Sequence, residues 1–240
     1  MPTSPPSVPD GTCVYAIGDI HGHHDLLLDL QRRVVRDAEQ REARRRVIVY
    51  LGDYIDRGPD SRAVIETLAK APLPGFECVN LRGNHETLML DYLEDIEVAP
   101  MWFLNGGDRT LESYGVAVGL GEFGTGLQAA FRAALPVDHK DFLDRLLLSH
   151  VEGDYAFVHA GIRPGIALAD QDENDLIWIR GEFLDARARH DHVIVHGHSI
   201  STGPDVRENR IGIDTGAFMT GTLTAVVLDG STRDFLQTTD

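Results

Sequence analysis

Short apolar runs, each followed at once by polar residues, recur along the chain. Val and Ile dominate several of them, which is typical of buried strands. They occupy residues 13–17, 47–51, 76–81, 155–158 and 193–195. Between the first two runs, Leu26, Leu30 and Val34 repeat at helical spacing and predict an amphipathic helix over 23–42, and a shorter helix starts near Asp60. This alternation predicts an α/β protein.

The pattern changes in the second half of the chain. Strand signals fade over about 99–150, where amphipathic stretches predict a helical insert. Its aromatic residues are interpreted as packing residues. Three strand-like runs with short connections, 210–214, 223–228 and 233–237, favour antiparallel pairing at the end of the chain. We therefore predict mixed β-sheets, arranged as one sheet or a two-sheet sandwich, flanked by helices.

The length of 240 residues suffices for one α/β domain, which we place at 12–240. Residues 1–11 are rich in Pro and Ser and are predicted to be a disordered lead-in. Cys13 and Cys78 both lie in apolar runs, so we expect small core residues in a reducing compartment rather than a disulfide.

The net charge of −16 argues against nucleic acid as a partner, because phosphate backbones are bound by clustered Lys and Arg. No apolar run approaches the roughly 20 residues that a membrane span needs. We expect a soluble, cytoplasmic protein that contacts no membrane. The sequence leaves its oligomeric state open.

Polar motifs follow five of the predicted strands. They read GDIHG at 18–22, GDYIDRG at 52–58, RGNHE at 82–86, HAG at 159–161 and HGHS at 196–199. Taken alone, GDYIDRG is equally consistent with a polar turn that contains a local ion pair. Five such motifs at strand ends favour a shared site, because a sheet brings those ends together.

The ordered set of motifs resembles that of the metallophosphoesterases. The full sequences GDYIDRG and LRGNHE resemble the motifs of the phosphoprotein phosphatase family. Chain length and the HGHS motif are similar to the compact bacterial and phage members, of the lambda phosphatase type. The stretch NGGDRTLESYG at 105–115 also resembles a segment of the bacterial members. The resemblance spans about residues 17–217 and implies the calcineurin-like fold.

The candidate ligands supply three oxygens, three imidazoles and no thiolate, a mixture that suits Mn²⁺, Fe or Zn²⁺. They are Asp19, His21, Asp53, Asn84, His159 and His198. Two ions that share a carboxylate would leave room for water and substrate. We expect two divalent ions, with Mn²⁺ as the first choice for both, and the resemblance implies that Asp19, His21 and Asp53 hold one of them. It implies that Asp53, Asn84, His159 and His198 hold the other, with His196 as an alternative to His198.

Four further residues are candidates for catalysis. His85 adjoins Asn84 and can protonate a leaving alkoxide, and Asp56 can orient it, although Asp56 could also merely cap its loop. Arg57 can grip phosphate oxygens, and Arg180 resembles the second phosphate-binding arginine of bacterial and phage members. The position of Asp214 suits either a turn or a place near the metals. Glu86 is interpreted as a helix cap.

These residues predict a metal-dependent phosphomonoesterase. The resemblance implies direct attack of metal-bound hydroxide on phosphorus. It favours phosphoserine and phosphothreonine of proteins as substrates, and the expected partner is a phosphorylated protein or a small phosphoester. An alternative is a symmetrical dinucleoside tetraphosphate hydrolase. A third hypothesis is a catalytically inactive module that binds phosphopeptides.

Overall fold

A computed structural model describes residues 5–119 and 124–239. Its strands are β1 Thr12–Ile17, β2 Arg45–Tyr50, β3 Glu77–Asn80, β4 Ser149–Glu152, β5 Tyr155–Val158, β6 Val193–His196, β7 Asp205–Val206, β8 Arg210–Gly212, β9 Thr224–Asp229 and β10 Thr232–Gln237. Its α-helices are α1 His24–Glu39, α2 Ser61–Lys70, α3 Asn84–Glu94, α4 Ala99–Leu104, α5 Gly107–Ser113, α6 Thr125–Ala134, α7 Val137–Asp144, α8 Glu173–Trp178, α9 Gly181–Leu184 and α10 Ala217–Thr220. Across these ranges no helix is both long enough and apolar enough to cross a membrane.

The strands form two mixed five-stranded sheets. The first has the order β10-β9-β1-β2-β3, in which β1, β2 and β3 are parallel and β9 pairs antiparallel with both β1 and β10. The second has the order β4-β5-β6-β8-β7, in which β5, β6 and β8 are parallel and the two edge strands are antiparallel. The mixed sheets expected from the sequence are confirmed.

The two sheets pack face to face because each contributes one apolar side of its strands. Val14 and Val49 of the first sheet share a core with Phe157 and Val195 of the second. The opposite side of β1 includes Tyr15, which packs in a second core with helices α1 to α3 and the insert. A third core lies between the outer face of the second sheet and helices α8 and α9. The result is a sandwich with helices on both outer faces, as the alternation of side chains along a strand allows.

The described part of the predicted insert contains helices α4 to α7 between Ala99 and Asp144. Residues 105–106, 114–119 and 135–136 between them are not helical, and the stretch 120–123 lies outside the described residues. The insert ends earlier than expected, because Ser149–Glu152 forms β4 and pairs with β5. The short, polar sequence SHVE carries no clear strand signal, so only the neighbouring strand reveals it.

The prediction of a disordered lead-in is wrong for residues 5–11, while residues 1–4 lie outside the described part. Val8 is only 2% exposed and fills the core between the two sheets. Its N–H donates to the carbonyl oxygen of Gly230 at 3.0 Å, and the N–H of Ser7 donates to Asp154 at 2.9 Å. One apolar side chain and these backbone bonds are enough to order a Pro-rich segment.

Candidate metal centre and active site

The five polar motifs meet at one edge of the sandwich. Three follow β1, β2 and β3 of the first sheet, and two lie at the ends of β5 and β6 of the second. The N–H groups of Ile20 and His21 both donate to the carbonyl oxygen of Asp53, at 3.0 and 2.9 Å. The N–H of Gly197 donates to the carbonyl oxygen of His159 at 2.8 Å. Backbone bonds between loops therefore fix the motifs against each other.

Asp53 lies at the centre of this edge and is 2% exposed. Its Oδ2 is 3.6 Å from Nε2 of His21 and 3.7 Å from Nε2 of His85. Its Oδ1 is 3.4 Å from Nε2 of His159, which is itself 3.0 Å from Oδ1 of Asn84. The structure thus gathers ligand-type atoms on both oxygens of one carboxylate.

The ring nitrogens of two histidines are oriented by backbone carbonyls. Nδ1 of His21 bonds to the carbonyl oxygen of Ile55, and Nδ1 of His159 to that of Leu51, both at 2.9 Å. A carbonyl can only accept, so Nδ1 carries the proton and Nε2 offers a lone pair towards Asp53. Burial lowers the pKa of both imidazoles. They are therefore neutral at neutral pH, the form that binds metal ions.

The two histidines of HGHS point to different places. Nε2 of His198 is buried without a hydrogen-bond partner and belongs to a group of ligand atoms with Asp53 and His159. Nε2 of His196 instead lies 3.4 Å from Nη1 of Arg210. His198 is therefore the histidine of this motif that the structure brings to the other candidate ligands.

Two further buried carboxylates, Asp19 and Asp214, lie side by side next to this group. Both oxygens of Asp19 accept from the N–H of His198, at 3.2 and 3.0 Å. Burial and the neighbouring carboxylates of Asp214 and Asp53 raise the pKa of Asp19 well above its usual value. Burial also raises the pKa of Asp214 to about 6, and the charge of Asp53 adds to this effect. Of the two roles left open for Asp214, the structure places it beside the candidate ligands.

These side chains fit divalent cations. Two groups of potential ligand atoms share Asp53: one with His21 and His85, the other with His159 and His198. Three carboxylates buried close together would repel one another without a cation, and the buried Nε2 of His198 would remain unsatisfied. The first group contains His85, whereas the resemblance to the metallophosphoesterases implies Asp19 as the third ligand of that ion.

Unusual backbone conformations concentrate in this site. Over residues 5–119 and 124–239, the non-glycine residues with positive φ are His21, Asp53, Asp56, Arg57 and His198, with φ between 46° and 70°. Such strain costs about 1–3 kcal/mol per residue and is typical of functional sites. Close approach also requires glycine, since a Cβ on Gly83 would lie 2.1 Å from Oδ1 of Asp53.

His85 and Asp56 form a buried pair. Nδ1 of His85 is 2.7 Å from Oδ2 of Asp56, and both side chains are at most 1% exposed. Burial alone lowers the pKa of His85, but the carboxylates of Asp53 and Asp56 raise it above its ordinary value. The imidazole can therefore carry a proton beside the candidate metal ligands.

Asp56 has two more donors, which the sequence analysis missed. Nε1 of Trp102 donates to Oδ2 at 2.9 Å, and Oγ1 of Thr110 donates to Oδ1 at 2.6 Å. Both residues belong to the helical insert, so its aromatic residues do more than pack. Thr110 lies within the segment NGGDRTLESYG, which was the available signal, but the partner is 54 residues away.

The two arginines differ in how they are held. Nη2 of Arg57 is 3.3 Å from Nε2 of His85, and its guanidinium lies over the ring of Phe218, 4.3 Å from the centroid. Arg180 is exposed on the loop between α8 and α9. The apolar residues 176–178 before it belong to helix α8. Burial chiefly lowers the pKa of His159 and His198, and the nearby charge of Arg180 contributes.

Curated relatives include two kinds of hydrolase. Serine/threonine-protein phosphatase 1 of Salmonella typhimurium is 35% identical over 40% of this chain and 39% of its own length. Serine/threonine-protein phosphatase 2 of the same organism is 27% identical over 88% of this chain and 90% of its own length. A symmetrical bis(5'-nucleosyl)-tetraphosphatase of Dechloromonas aromatica is 30% identical over 62% of this chain and 44% of its own length.

A solved structure described as a putative diadenosine tetraphosphatase superposes with a TM-score of 0.64. It covers 98% of both chains at 20% identity, which supports the fold alone. The family model for calcineurin-like phosphoesterases matches residues 14–217, which include every candidate site residue discussed above. The protein therefore belongs to the calcineurin-like metallophosphoesterases, a family of hydrolases that includes the phosphoprotein phosphatases.

Proposed function

We propose that this protein is a two-cation phosphomonoesterase that acts on phosphoserine and phosphothreonine residues of proteins. One observation carries the proposal: the imidazole of His85 contacts Asp56 at one nitrogen and Arg57 at the other, at 2.7 and 3.3 Å. The imidazole that would donate the proton thus lies beside Asp53 and next to the guanidinium that would bind phosphate. Phosphoester hydrolysis requires both functions next to the metal ligands.

The cations would be held by the residues gathered at the sheet edge. One ion is assigned to Asp19, His21 and Asp53, and the other to Asp53, Asn84, His159 and His198. Mn²⁺ is the proposed ion, and Fe or Zn²⁺ would suit the same oxygen and imidazole donors. When bound, such ions supply Lewis acidity towards phosphate oxygens and water.

The remaining residues bind the phosphoryl group and move the proton. Arg57 and Arg180 bind its oxygens, and their fixed positive charge stabilises the charge that develops during transfer. Once Arg57 has turned from Nε2 of His85 to the phosphate oxygens, this nitrogen can carry a proton, and His85 gives it to the leaving seryl or threonyl oxygen. Asp56 keeps Nδ1 protonated and stabilises the charged ring before the transfer.

Relatives of two kinds suggest a second candidate. Symmetrical cleavage of dinucleoside tetraphosphates uses the same phosphoester chemistry, and one tetraphosphatase relative is 30% identical. More than half of that relative has no counterpart in this match, whereas phosphatase 2 of S. typhimurium aligns over 90% of its length. This difference in coverage favours the protein phosphatase over the symmetrical tetraphosphatase of D. aromatica as a guide to function. A catalytically inactive phosphopeptide-binding module is the weakest, because both His85 and Asp56 are present and paired.

The test compares initial rates with Mn²⁺ on a phosphoserine or phosphothreonine peptide and on diadenosine tetraphosphate, with and without chelator. We expect chelator-sensitive turnover of the peptide and much slower turnover of the dinucleotide. The variant Asp53→Asn serves as the inactive control. The reverse preference would move the protein to the nucleotide hydrolases, and tight peptide binding without turnover would favour the inactive module.

A further inference from the structure

We propose that the helical insert positions the catalytic acid: Trp102 and Thr110 hold the two carboxylate oxygens of Asp56, and Asp56 in turn orients His85. The inference rests on the proposed function, in which His85 protonates the leaving group. Trp102 and Thr110 act through Asp56, so they are positioning residues.

The contacts account for both oxygens of a fully buried carboxylate. Oδ2 accepts from Nδ1 of His85 and from Nε1 of Trp102, and Oδ1 accepts from Oγ1 of Thr110. The second torsion of an Asp side chain has broad minima, so one hydrogen bond would not fix the plane of the carboxylate. Donors on both oxygens do fix it. The lone pair of Oδ2 that accepts from Nδ1 of His85 is then held in a single orientation.

Thr110 also restrains the backbone at Asp56. The N–H of Asp56 lies 3.0 Å from Oγ1 of Thr110 and 3.0 Å from Oγ of Ser61. Asp56 has a φ of 70°, a left-handed conformation that a residue with a Cβ adopts only when its surroundings impose it. Thr110 therefore holds main chain and side chain together, whereas Trp102 contributes a side-chain bond alone.

The insert is built to bring both donors to one place. Trp102 is 0% exposed and packs against Tyr92 and Phe131, with ring centroids 4.8 and 5.7 Å apart. A Cβ on Gly107 would lie 2.5 Å from the indole, so helix α5 can start against the ring only because this residue is glycine. Thr110 follows one turn later in α5. Its hydroxyl therefore reaches the same carboxylate from the other side.

The inference has a specific kinetic consequence. An alkoxide such as that of serine is a poor leaving group and needs a proton from the acid, whereas dinitrophenolate leaves without one. A badly oriented His85 therefore slows hydrolysis of phosphoserine and leaves dinitrophenyl phosphate almost unaffected. A general loss of packing around the metal centre would slow both substrates.

The kinetic experiment compares kcat on a phosphoserine peptide and on 2,4-dinitrophenyl phosphate in the Mn²⁺-loaded protein. We expect Trp102→Phe, which keeps an aromatic ring but loses the N–H, to lower kcat on the peptide about tenfold and on dinitrophenyl phosphate less than about twofold, a fraction of what a general acid contributes. Thr110→Val should show the same selectivity, and Thr110→Ser should restore the rate. Leu143→Val, which disturbs the core of the insert in α7 rather than beside Trp102, should show no selectivity.

A second readout does not depend on activity. The proton on Nδ1 of His85 lies in a short bond to a carboxylate, so its NMR signal is shifted far downfield and can be assigned by its loss in His85→Asn. In protein loaded with diamagnetic Zn²⁺, Trp102→Phe should move this signal upfield or broaden it, and Leu143→Val should leave it in place.

The outcomes separate this inference from the function on which it rests. Equal slowing of both substrates by Trp102→Phe, or an unchanged His85 signal, would overturn the positioning role. Wild-type protein that hydrolyses dinitrophenyl phosphate but no phosphoserine peptide would contradict the proposed function. In that case the NMR comparison still decides whether Trp102 holds Asp56 and His85.

Discussion

The carboxylate of Glu86 accepts a hydrogen bond from the backbone N–H of Asp53 at 2.9 Å. It also accepts from the N–H groups of Tyr54 and Gly83, at 2.8 and 2.9 Å, and its side chain is completely buried. The predicted role as a helix cap is therefore one part of a wider role. Glu86 joins the start of helix α3 to the loop that carries the central carboxylate.

Replacing Glu86 by Gln should weaken both folding and metal binding. All three contacts come from donors, so the new amide NH₂ must face at least one N–H group and leave it unsatisfied. We expect the free energy of unfolding to fall by about 1–3 kcal/mol, measured by urea denaturation, and Mn²⁺ affinity to fall in calorimetry. Glu94→Gln, at the exposed end of the same helix, is the matched control. Equal effects of the two variants would contradict this role of Glu86.

His198 and His196 should differ in their effect on metal binding. Because His198 shares a group of potential ligand atoms with Asp53 and His159, His198→Ala should remove one ion, and with it about 2.7 kcal/mol of stabilisation at a free Mn²⁺ concentration 100 times Kd. His196 packs against Phe183 and contacts Arg210 instead. His196→Ala should therefore lower stability without Mn²⁺ but keep the full increment on adding it. Thermal unfolding with and without Mn²⁺ measures both, and the opposite result would make His196 the ligand.

Phe218 should support the grip of Arg57 on phosphate. The guanidinium lies over the ring at 4.3 Å, and such cation–π contacts contribute about 0.5–2 kcal/mol. Phe218→Leu should raise KM for a phosphopeptide about three- to tenfold, with a smaller change in kcat. Met219→Ala, at the exposed next residue of α10, should leave KM unchanged. Steady-state kinetics would refute the role of the ring if KM were the same in Phe218→Leu and wild type.

Arg45 and Glu152 connect the two sheets and should make stability depend on pH. Nη1 and Nη2 of Arg45 in β2 donate to Glu152 in β4, at 2.7 and 2.8 Å. Burial alone raises the pKa of Glu152, but bonds from Arg45 and His150 outweigh it and lower the pKa below its ordinary value of 4.5. Since the folded pKa is lowered, this stabilisation is present above pH 4.5 and is lost as the pH falls through the folded pKa.

The variant Glu152→Gln tests this dependence. At pH 7 it should lower the free energy of unfolding by about 1–2 kcal/mol, because it replaces a charge-assisted pair. The difference from wild type should shrink as the pH falls below 4.5. Urea denaturation across this range measures it, with Glu77→Gln, the more exposed partner of Arg45, as a control of smaller effect. A difference that stays constant with pH would show that the charge of Glu152 is irrelevant.

The fold was largely predictable because its signals are local. The apolar runs at 13–17, 47–51, 76–81, 155–158 and 193–195 overlap β1, β2, β3, β5 and β6, and the polar motifs that follow mark where these strands end. Asp53 and His159 could be assigned to one edge from their place after such strands. Val8 could not be placed, because its burial depends on the gap between two sheets that exists only in the folded chain.

The parts of the site that escaped prediction all depend on distant contacts. The local sequence around Trp102 indicates only a packing residue. The acceptor of its indole N–H is Asp56, which is 46 residues away in the sequence and comes close only in the folded chain. Asp214 was ambiguous for the same reason, since its role depends on Asp19 across the sandwich edge. The helix before Arg180 arose from an apolar run too short for periodicity to distinguish helix from strand.

The division of the ligands between the two sheets has a consequence for the order of folding. Asp53 is carried by β2 of the first sheet, whereas His159 and His198 follow strands of the second, and more than 100 residues separate Asp53 from either histidine. The first sheet alone carries the whole set proposed for one ion, Asp19, His21 and Asp53, whereas the other ion also needs His159 and His198 of the second sheet. We therefore expect capture of this second ion to follow docking of the sheets, and separation of the sheets to release it first.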